Sequence, residues 1–516
     1  MIVAIVLLTS LANKIRVAYP ILLVLAGISV SFIPGMPVIN IKPELIFMIL
    51  LPPMLYGAAW TISWKELWRW RRIIGSFAFG VVFVTAISVA VVANAYIPGF
   101  TLALGFLLGG IVSPPDAVTA GAILNFVKVP KRMAVVLEGE SLLNDASSLI
   151  IFRFALIAVV TGSFLWHAAL LDFSWMVVGG VFIGLATGWI FMKTHQVLKT
   201  DSNGDIALTF VAPYVMYMLA EAVHSSGVVA VVSGGLYLSG RRYVFLSSST
   251  RVRGVNVWDS LLFVLNGSVF ILIGLDLQEV VKALQPESVR LPTAIGYGLL
   301  ITAVLIASRI IFSFMAVVIT LAASRFIRVA DARNPGYKGP IVFGWTGMRG
   351  VVSLAAALSI PLRMDKGELF PHRNLILFIT FIVILSTLLL QGLTLPLLIK
   401  RIKLPDPEDH FPEEKTERII RRGLSRKTEE YVAVNHAGKM RALPELQRLV
   451  DDWDQKNRDD LYRQLSPDAK RMYIDLLGDQ RDWLLEENKN NDMLDEEIVR
   501  KFLLIIDMEE ARASFG

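Results

Sequence analysis

Long apolar runs separated by short polar stretches recur along roughly the first 400 residues. A helix that crosses a bilayer needs about 20 mostly apolar residues. That template matches thirteen stretches, at roughly 1–12, 18–34, 44–63, 73–96, 100–125, 133–161, 173–192, 205–222, 225–240, 258–276, 291–323, 340–361 and 374–399. From residue 404 the pattern changes. Charged residues dominate, and apolar ones return in sparse stripes, as in "LYRQLSPDAKRMYIDLLGDQRDWLLEE" and "EEIVRKFLLIIDMEEA". Such stripes predict amphipathic helices, and Pro405, Pro407 and Pro412 mark the junction. The expected architecture is an all-α polytopic membrane protein, 1–403, of about thirteen transmembrane helices, followed by a helical tail, 404–516.

Composition agrees with that pattern. The chain has 516 residues, 54% hydrophobic and 18% charged, with a mean hydropathy of +0.58, which excludes an ordinary soluble globular protein. About 27 acidic and about 19 basic residues follow residue 404, net about −8, which leaves about +14 for the membrane part of a chain whose total is +6. The pI of 9.3 is therefore a topology signal and carries no case for nucleic acid. There is no cysteine, so disulfides, thiolate catalysis and Cys-ligated metals are excluded.

Lys and Arg in the connections set the orientation. One set of connections carries Lys14 and Arg16; Lys65, Arg69, Arg71 and Arg72; Lys128, Lys131 and Arg132; Lys193 and Lys199; Arg241, Arg242, Arg251 and Arg253; and Arg325, Arg328, Arg333 and Lys338. The alternate set, including "YIPG" and "EAVHSSG", holds few. The N-terminus is expected outside and the tail in the cytoplasm. "MIVAIVLLTSLANKIR" has the look of a signal sequence but lacks a basic start, and is read as a short first span.

Two spans are predicted to break inside the membrane. In "LALGFLLGGIVSPPDAVTAGAIL", Pro114 and Pro115 remove two backbone donors. A break of this kind survives in a bilayer only where protein or a watery cavity satisfies the freed groups. Asp116 follows at once, where the positive end of the next half-helix suits a carboxylate. In "IVFGWTGMRGVVSLAAALSIP", Gly344, Gly347 and Gly350 weaken the helix around Arg349. The two broken spans are the fifth and the twelfth, seven apart. They fall at matching positions of two repeats of inverted topology, the arrangement that points to a transporter's ion site. Helix packing is the plainer explanation of glycine and proline in membrane helices, and it leaves Asp116 and Arg349 unexplained.

A charged side chain at mid-bilayer costs at least about 2.5–3.5 kcal/mol on insertion scales. Asp116, Glu140, Asp145 and Arg349 all fall at that depth. In "EGESLLNDASSLIIFRFAL", Ser141 and Asp145 share one helix face, and Glu140 and Asn144 the adjoining one. Arg349 keeps its proton and needs a fixed anionic partner. Glu140 is expected to be that partner, in a structural ion pair. Asp116 and Asp145 are then left to meet a small cation, with hydroxyl and carbonyl oxygens completing its shell. A carboxylate taken partly out of water holds a proton more tightly, so a site of this kind can trade a proton for a cation. Arg153, two turns beyond Asp145, either snorkels outward or faces a funnel.

"GESLLNDA", "SPPDAV", "GMRGVVSLAAALSIP" and "FVLNGSVFILIGLDL" resemble the sodium/proton exchanger family of the cation:proton antiporter superfamily, in particular its bacterial members, over roughly residues 1–400. The resemblance implies thirteen helices, a homodimer, and a core (73–161 and 291–399) that moves against a dimerisation scaffold (1–63 and 173–276). It implies exchange of a monovalent cation for a proton in the plasma membrane, with no cofactor and no enzymatic reaction. Asp145 would be the main cation and proton carrier, Asn144 its orienting neighbour, and Asp116 the acid of the broken helix. Ser141 would offer its hydroxyl and Pro115 its carbonyl, while Glu140 and Arg349 would tie the two helices together. An Asn-Asp pair points to electroneutral exchange. Two departures leave Na+, Li+ and K+ open as the cargo: the family's usual Thr before the broken-helix acid is Pro115, and Gly57 stands where some members carry a Glu.

A cation channel would call for symmetric pore helices and a carbonyl filter. An intramembrane aspartyl protease would require Asp116 and Asp145 to share a proton and would leave Arg349 idle. The tail reads either as a small helical domain that packs on itself, on a dimer mate or beneath the core, or as a regulator of transport.

Overall fold

In a computed structural model the chain is described over residues 1–33, 46–124, 126–127, 129–162, 166–198, 200–284, 289–323, 336–364, 367–404, 410–431, 433 and 466–515. Among these residues the structure is helical, with one isolated bridge between Arg363 and Leu369. The first stretch contains α1 (Ile2–Ile15), α2 (Tyr19–Ser31), α3 (Leu51–Thr61) and α4 (Trp64–Tyr96). Next come α5 (Leu102–Val112), α6 (Ala117–Leu124), α7 (Lys131–Thr161), α8 (Trp166–Leu198), α9 (Ser202–Ala222), α10 (Gly227–Phe245), α11 (Ser248–Leu275) and α12 (Leu277–Leu284). The chain continues through α13 (Leu291–Ala323), α14 (Lys338–Trp345), α15 (Val351–Leu358) and α16 (Arg373–Ile402), then α17 (Glu413–Tyr431), α18 (Pro467–Asn490) and α19 (Glu496–Phe515). Among the described residues seven helices are long and apolar enough to cross a membrane, and four further apolar helices are shorter.

Both expected breaks occur. The span at 100–125 is divided into α5 and α6, and that at 340–361 into α14 and α15. Proline alone does not stop a helix here, because Pro213 and Pro396 lie inside α9 and α16. The tandem pair Pro114-Pro115 removes two consecutive donors and does stop one. The basic residues Lys65, Arg69, Arg71 and Arg72 lie in the first turns of α4, where a connection was expected. The hydroxyl of Ser63 accepts the N–H of Glu66 at 3.1 Å and starts the helix there. The helix then runs on through a wider π-helical turn at Ser76–Val81. Lys128, Lys199, Arg325, Arg328, Arg333, Pro405 and Pro407 lie outside the described residues.

The chain forms two compact units. One consists of Met1–Thr194, Thr209–Arg241 and Asp259–Asp406. Its apolar core centres on α16, whose Phe378, Phe381, Ile384 and Leu388 are fully buried. In the same unit Arg153 of α7 pairs with Glu221 of α9 at 2.7 Å, both half-exposed, so this arginine has a carboxylate partner.

The other unit consists of His195–Leu208, Arg242–Trp258 and Pro407–Gly516, so it gathers residues from both sides of position 404. Helices α17, α18 and α19 close around Ile420, Tyr473, Leu477, Phe502 and Ile506. Asp507 accepts from Arg251 Nε at 2.8 Å and Nη2 at 2.5 Å, and Arg481 stands 3.0 Å away. His195 Nδ1 lies 2.9 Å from Asp205 Oδ1, which also accepts the Thr200 hydroxyl at 2.7 Å. The stripe expected to begin at residue 461 is described from 466 onward and is helical from Pro467.

Candidate cation site

Two gaps in the helices face each other. Ser113–Asp116 separate α5 from α6, and Thr346–Gly350 separate α14 from α15. Each gap supplies what the other lacks. The Asp116 N–H donates to the Met348 carbonyl at 2.7 Å. The Arg349 side chain reaches back, donating from Nε to the Val112 carbonyl at 2.7 Å and from Nη2 to the Ser113 carbonyl at 3.2 Å. Its Nη1 donates to the carbonyl of Gly347, and its backbone N–H to the Thr387 hydroxyl of α16 at 3.2 Å. The carbonyls at the end of α5 carry the negative end of the helix dipole, so a guanidinium suits them. Gly350 makes the crossing possible. A Cβ there would run into Asp116 Oδ2, so any other residue would displace the carboxylate.

Helix α7 closes the crossing from one side. Its register turns Glu140 and Asn144 into the protein, at 1% and 0% exposure, and leaves Ser141 and Asp145 partly exposed on the adjoining face. Asn144 Nδ2 donates to the Pro115 carbonyl at 3.0 Å, and the Ser141 hydroxyl lies 3.4 Å from it. A carbonyl freed by the broken helix thus regains a partner from another helix, as a low-dielectric surrounding demands. Asp116, Ser141, Asp145 and Pro115 line one cavity of about 120 Å³, which α3 and α15 also border. That is space for several waters or for a cation that keeps part of its shell.

The expected ion pair of Glu140 with Arg349 is corrected by the structure. Glu140 is clasped by Arg309 of α13, Nη1 to Oε1 at 2.5 Å and Nη2 to Oε2 at 2.8 Å, with both side chains about 1% exposed. Arg309 Nε also donates to the Phe343 carbonyl at 3.0 Å. Physically, Arg349 sits where broken helices leave carbonyls free, and those occupy its donors. Arg309 lies within the continuous α13, whose carbonyls are engaged in the helix, and it takes the carboxylate instead. Sequence reasoning passed over Arg309, although one arginine in the apolar run "VLIASRIIFSFMAVV" was a visible signal. It also passed over Thr119, whose hydroxyl donates to Asp116 Oδ2 at 2.6 Å, and Glu138, which lines the cavity. Thr119 supplies the broken-helix acid with a hydroxyl one turn after the position where Pro115 lacks one.

Residues 1–401 match the family model described as "Sodium/hydrogen exchanger, transmembrane". The chain belongs to the sodium/hydrogen exchanger family. It is therefore a multi-pass membrane protein of a transporter family. An uncharacterized Na+/H+ exchanger of Mycobacterium tuberculosis is 31% identical over 415 residues, 80% of this chain and 75% of that one. A sodium, potassium, lithium and rubidium/H+ antiporter of Bacillus subtilis is 32% identical over 387 residues, 73% of this chain and 57% of that one. Among solved structures, the sodium proton antiporter MjNhaP1 of Methanocaldococcus jannaschii shares the fold. Its TM-score is 0.60 at 22% identity, over 78% of this exchanger and 96% of that chain.

Proposed function

We propose that this exchanger moves a monovalent cation (Na+, with Li+ and K+ as the alternatives) against H+, and that Asp145 and Asp116 carry both in turn. The observation that carries this reading is the shared cavity. Two carboxylates, brought by α7 and by the first helix break, face one hollow together with Ser141 and Pro115. Like charges facing one small hollow favour the uptake of a counter-charge, and a proton and a metal ion compete for that role. The exchanger family and the names of its relatives support cation/proton exchange.

The finer features belong to the same proposal. Exchange is electroneutral, one cation for one proton. Thirteen helices in inverted repeats divide into a core at 73–161 and 291–399 and a scaffold at 1–63 and 173–276, which move by alternating access in a homodimer. The N-terminus lies outside and the tail on the cytoplasmic side of the plasma membrane. Asn144 orients its neighbour Asp145 through the helix crossing.

Purified protein in proteoliposomes tests the reading. An imposed Na+ gradient should drive proton movement in the opposite direction, saturably, and Li+ and K+ gradients should rank the cargo. Asp145→Asn should abolish this exchange while insertion and thermal melting stay near wild type. Retained exchange in that variant would move the carrier role elsewhere, and conductance without proton coupling would favour a channel.

A further inference from the structure

Most hydroxyls around the crossing are engaged. Thr119 donates to Asp116, Thr387 accepts from Arg349 and donates to the Val383 carbonyl, and Ser147 donates to the Ala78 carbonyl. Serines on membrane helices otherwise bond back to their own helix. Ser359, near the end of α15, does this, donating to the Ala356 carbonyl at 2.8 Å. Among the described residues, the hydroxyls of Ser113 in the first break and of Ser353 in α15 have no hydrogen-bond partner. Ser353 is 1% exposed and lines the cavity shared by Asp116 and Asp145, which Ser113 does not line. Of the two carbonyls that a helical serine usually reaches, that of Arg349 lies in the helix break, and that of Gly350 accepts the Leu354 N–H at 3.4 Å. A buried hydroxyl without a partner costs free energy, and in a polar hollow it marks a place for an ion or a water.

We propose that Ser353 is a cation-contacting residue, so that the second broken helix contributes an oxygen to the transported ion directly. This rests on the exchange reading given above and extends it. A hydroxyl oxygen is a suitable ligand for a hard monovalent cation. Its place on α15 explains what the second interruption contributes beyond accommodating Asp116. A cation in the hollow would meet the Ser353 oxygen, which no described protein group engages. The first broken helix offers the carboxylate of Asp116, α7 offers Asp145 and Ser141, and α15 offers Ser353. Ion occupancy then ties three separately positioned elements together.

Ser353→Ala and Ser353→Thr, each reconstituted as the full chain, test this with NaCl, LiCl and KCl. For Ser353→Ala the apparent KM for the transported cation should rise about tenfold with maximal rate near wild type. Ser353→Thr keeps a hydroxyl and should return KM to within about threefold of wild type. A fold defect is separated by thermal melting. In choline chloride Ser353→Ala should melt at or above the wild-type temperature, because no protein hydrogen bond is lost. The extra stabilisation by NaCl should shrink. An unchanged KM together with unchanged NaCl stabilisation would overturn the proposal. So would a fall in maximal rate with KM intact, which would assign the hydroxyl to the conformational step. If wild type itself shows no cation-driven proton flux, the exchange reading fails; if wild type exchanges and Ser353→Ala matches it, only the role of Ser353 fails.

Discussion

Arg309 and Arg349 are both wholly buried in the membrane part, and the two regions around them solve the same problem differently. On the α13 side, Arg309 meets a carboxylate, Glu140, in a two-bond clasp. At the helix breaks, Arg349 meets the carbonyls of Val112, Ser113 and Gly347. What differs is the helix that holds each arginine. A continuous helix spends its carbonyls on itself, so its charge must import a counter-charge. An interrupted helix leaves its last carbonyls free, and these serve as a diffuse negative partner. One consequence concerns the ion. Arg349 is held by carbonyls and Glu140 by Arg309, so the Glu140 carboxylate is committed to a structural clasp and lies outside the lining of the hollow that Asp116 and Asp145 border.

The largest expected effect comes from breaking the compact pair. Arg309→Ala or Glu140→Gln should cost about 3–5 kcal/mol, since each strands a buried charge or its donors. The double change Glu140→Gln with Arg309→Met should recover most of that loss. Melting of the detergent-solubilised protein would read it, and additive losses in the double variant would mean that the two side chains do not act as a pair. Arg349→Ala should cost less, about 2 kcal/mol, because it leaves carbonyls and no stranded charge. Arg349→Lys should retain the charge but lose the forked reach to two carbonyls. If its melting matched wild type, charge alone would explain the site, and the contrast with Arg309 would collapse. The smallest effect is expected at Ser147, whose hydroxyl donates to the Ala78 carbonyl in the wide turn of α4 at 2.6 Å. Ser147→Ala should cost about 1 kcal/mol and leave the cation KM unchanged. A shift in KM would extend the ion site across that turn.

Particular residues show how far sequence reading reached. Pro114, Pro115, Gly347 and Gly350 announced both breaks, because proline and glycine act on the backbone at their own positions. Ser141 and Asp145 could be set on one face of α7, and Glu140 and Asn144 on the next, since helical register is also local. The partner of Glu140 could not be found the same way. Arg309 and Arg349 are separated from it by 169 and 209 positions in the chain, and hydropathy marks each only as a charge in an apolar run. Thr119 was missed because its hydroxyl matters only when the side chain of Asp116 turns toward it.

The sequence by itself determined where the chain can sit in lipid, where its helices must stop, and which residues bring charge to that depth. All of these follow from transfer free energy and backbone chemistry summed over neighbouring residues. Tertiary structure decided which charge meets which, that freed carbonyls could stand in for a carboxylate at Arg349, and that Asp116 and Asp145 border one hollow. Those outcomes depend on how separate helices pack and on which donors remain unspent once they do, and no local window of residues contains that information.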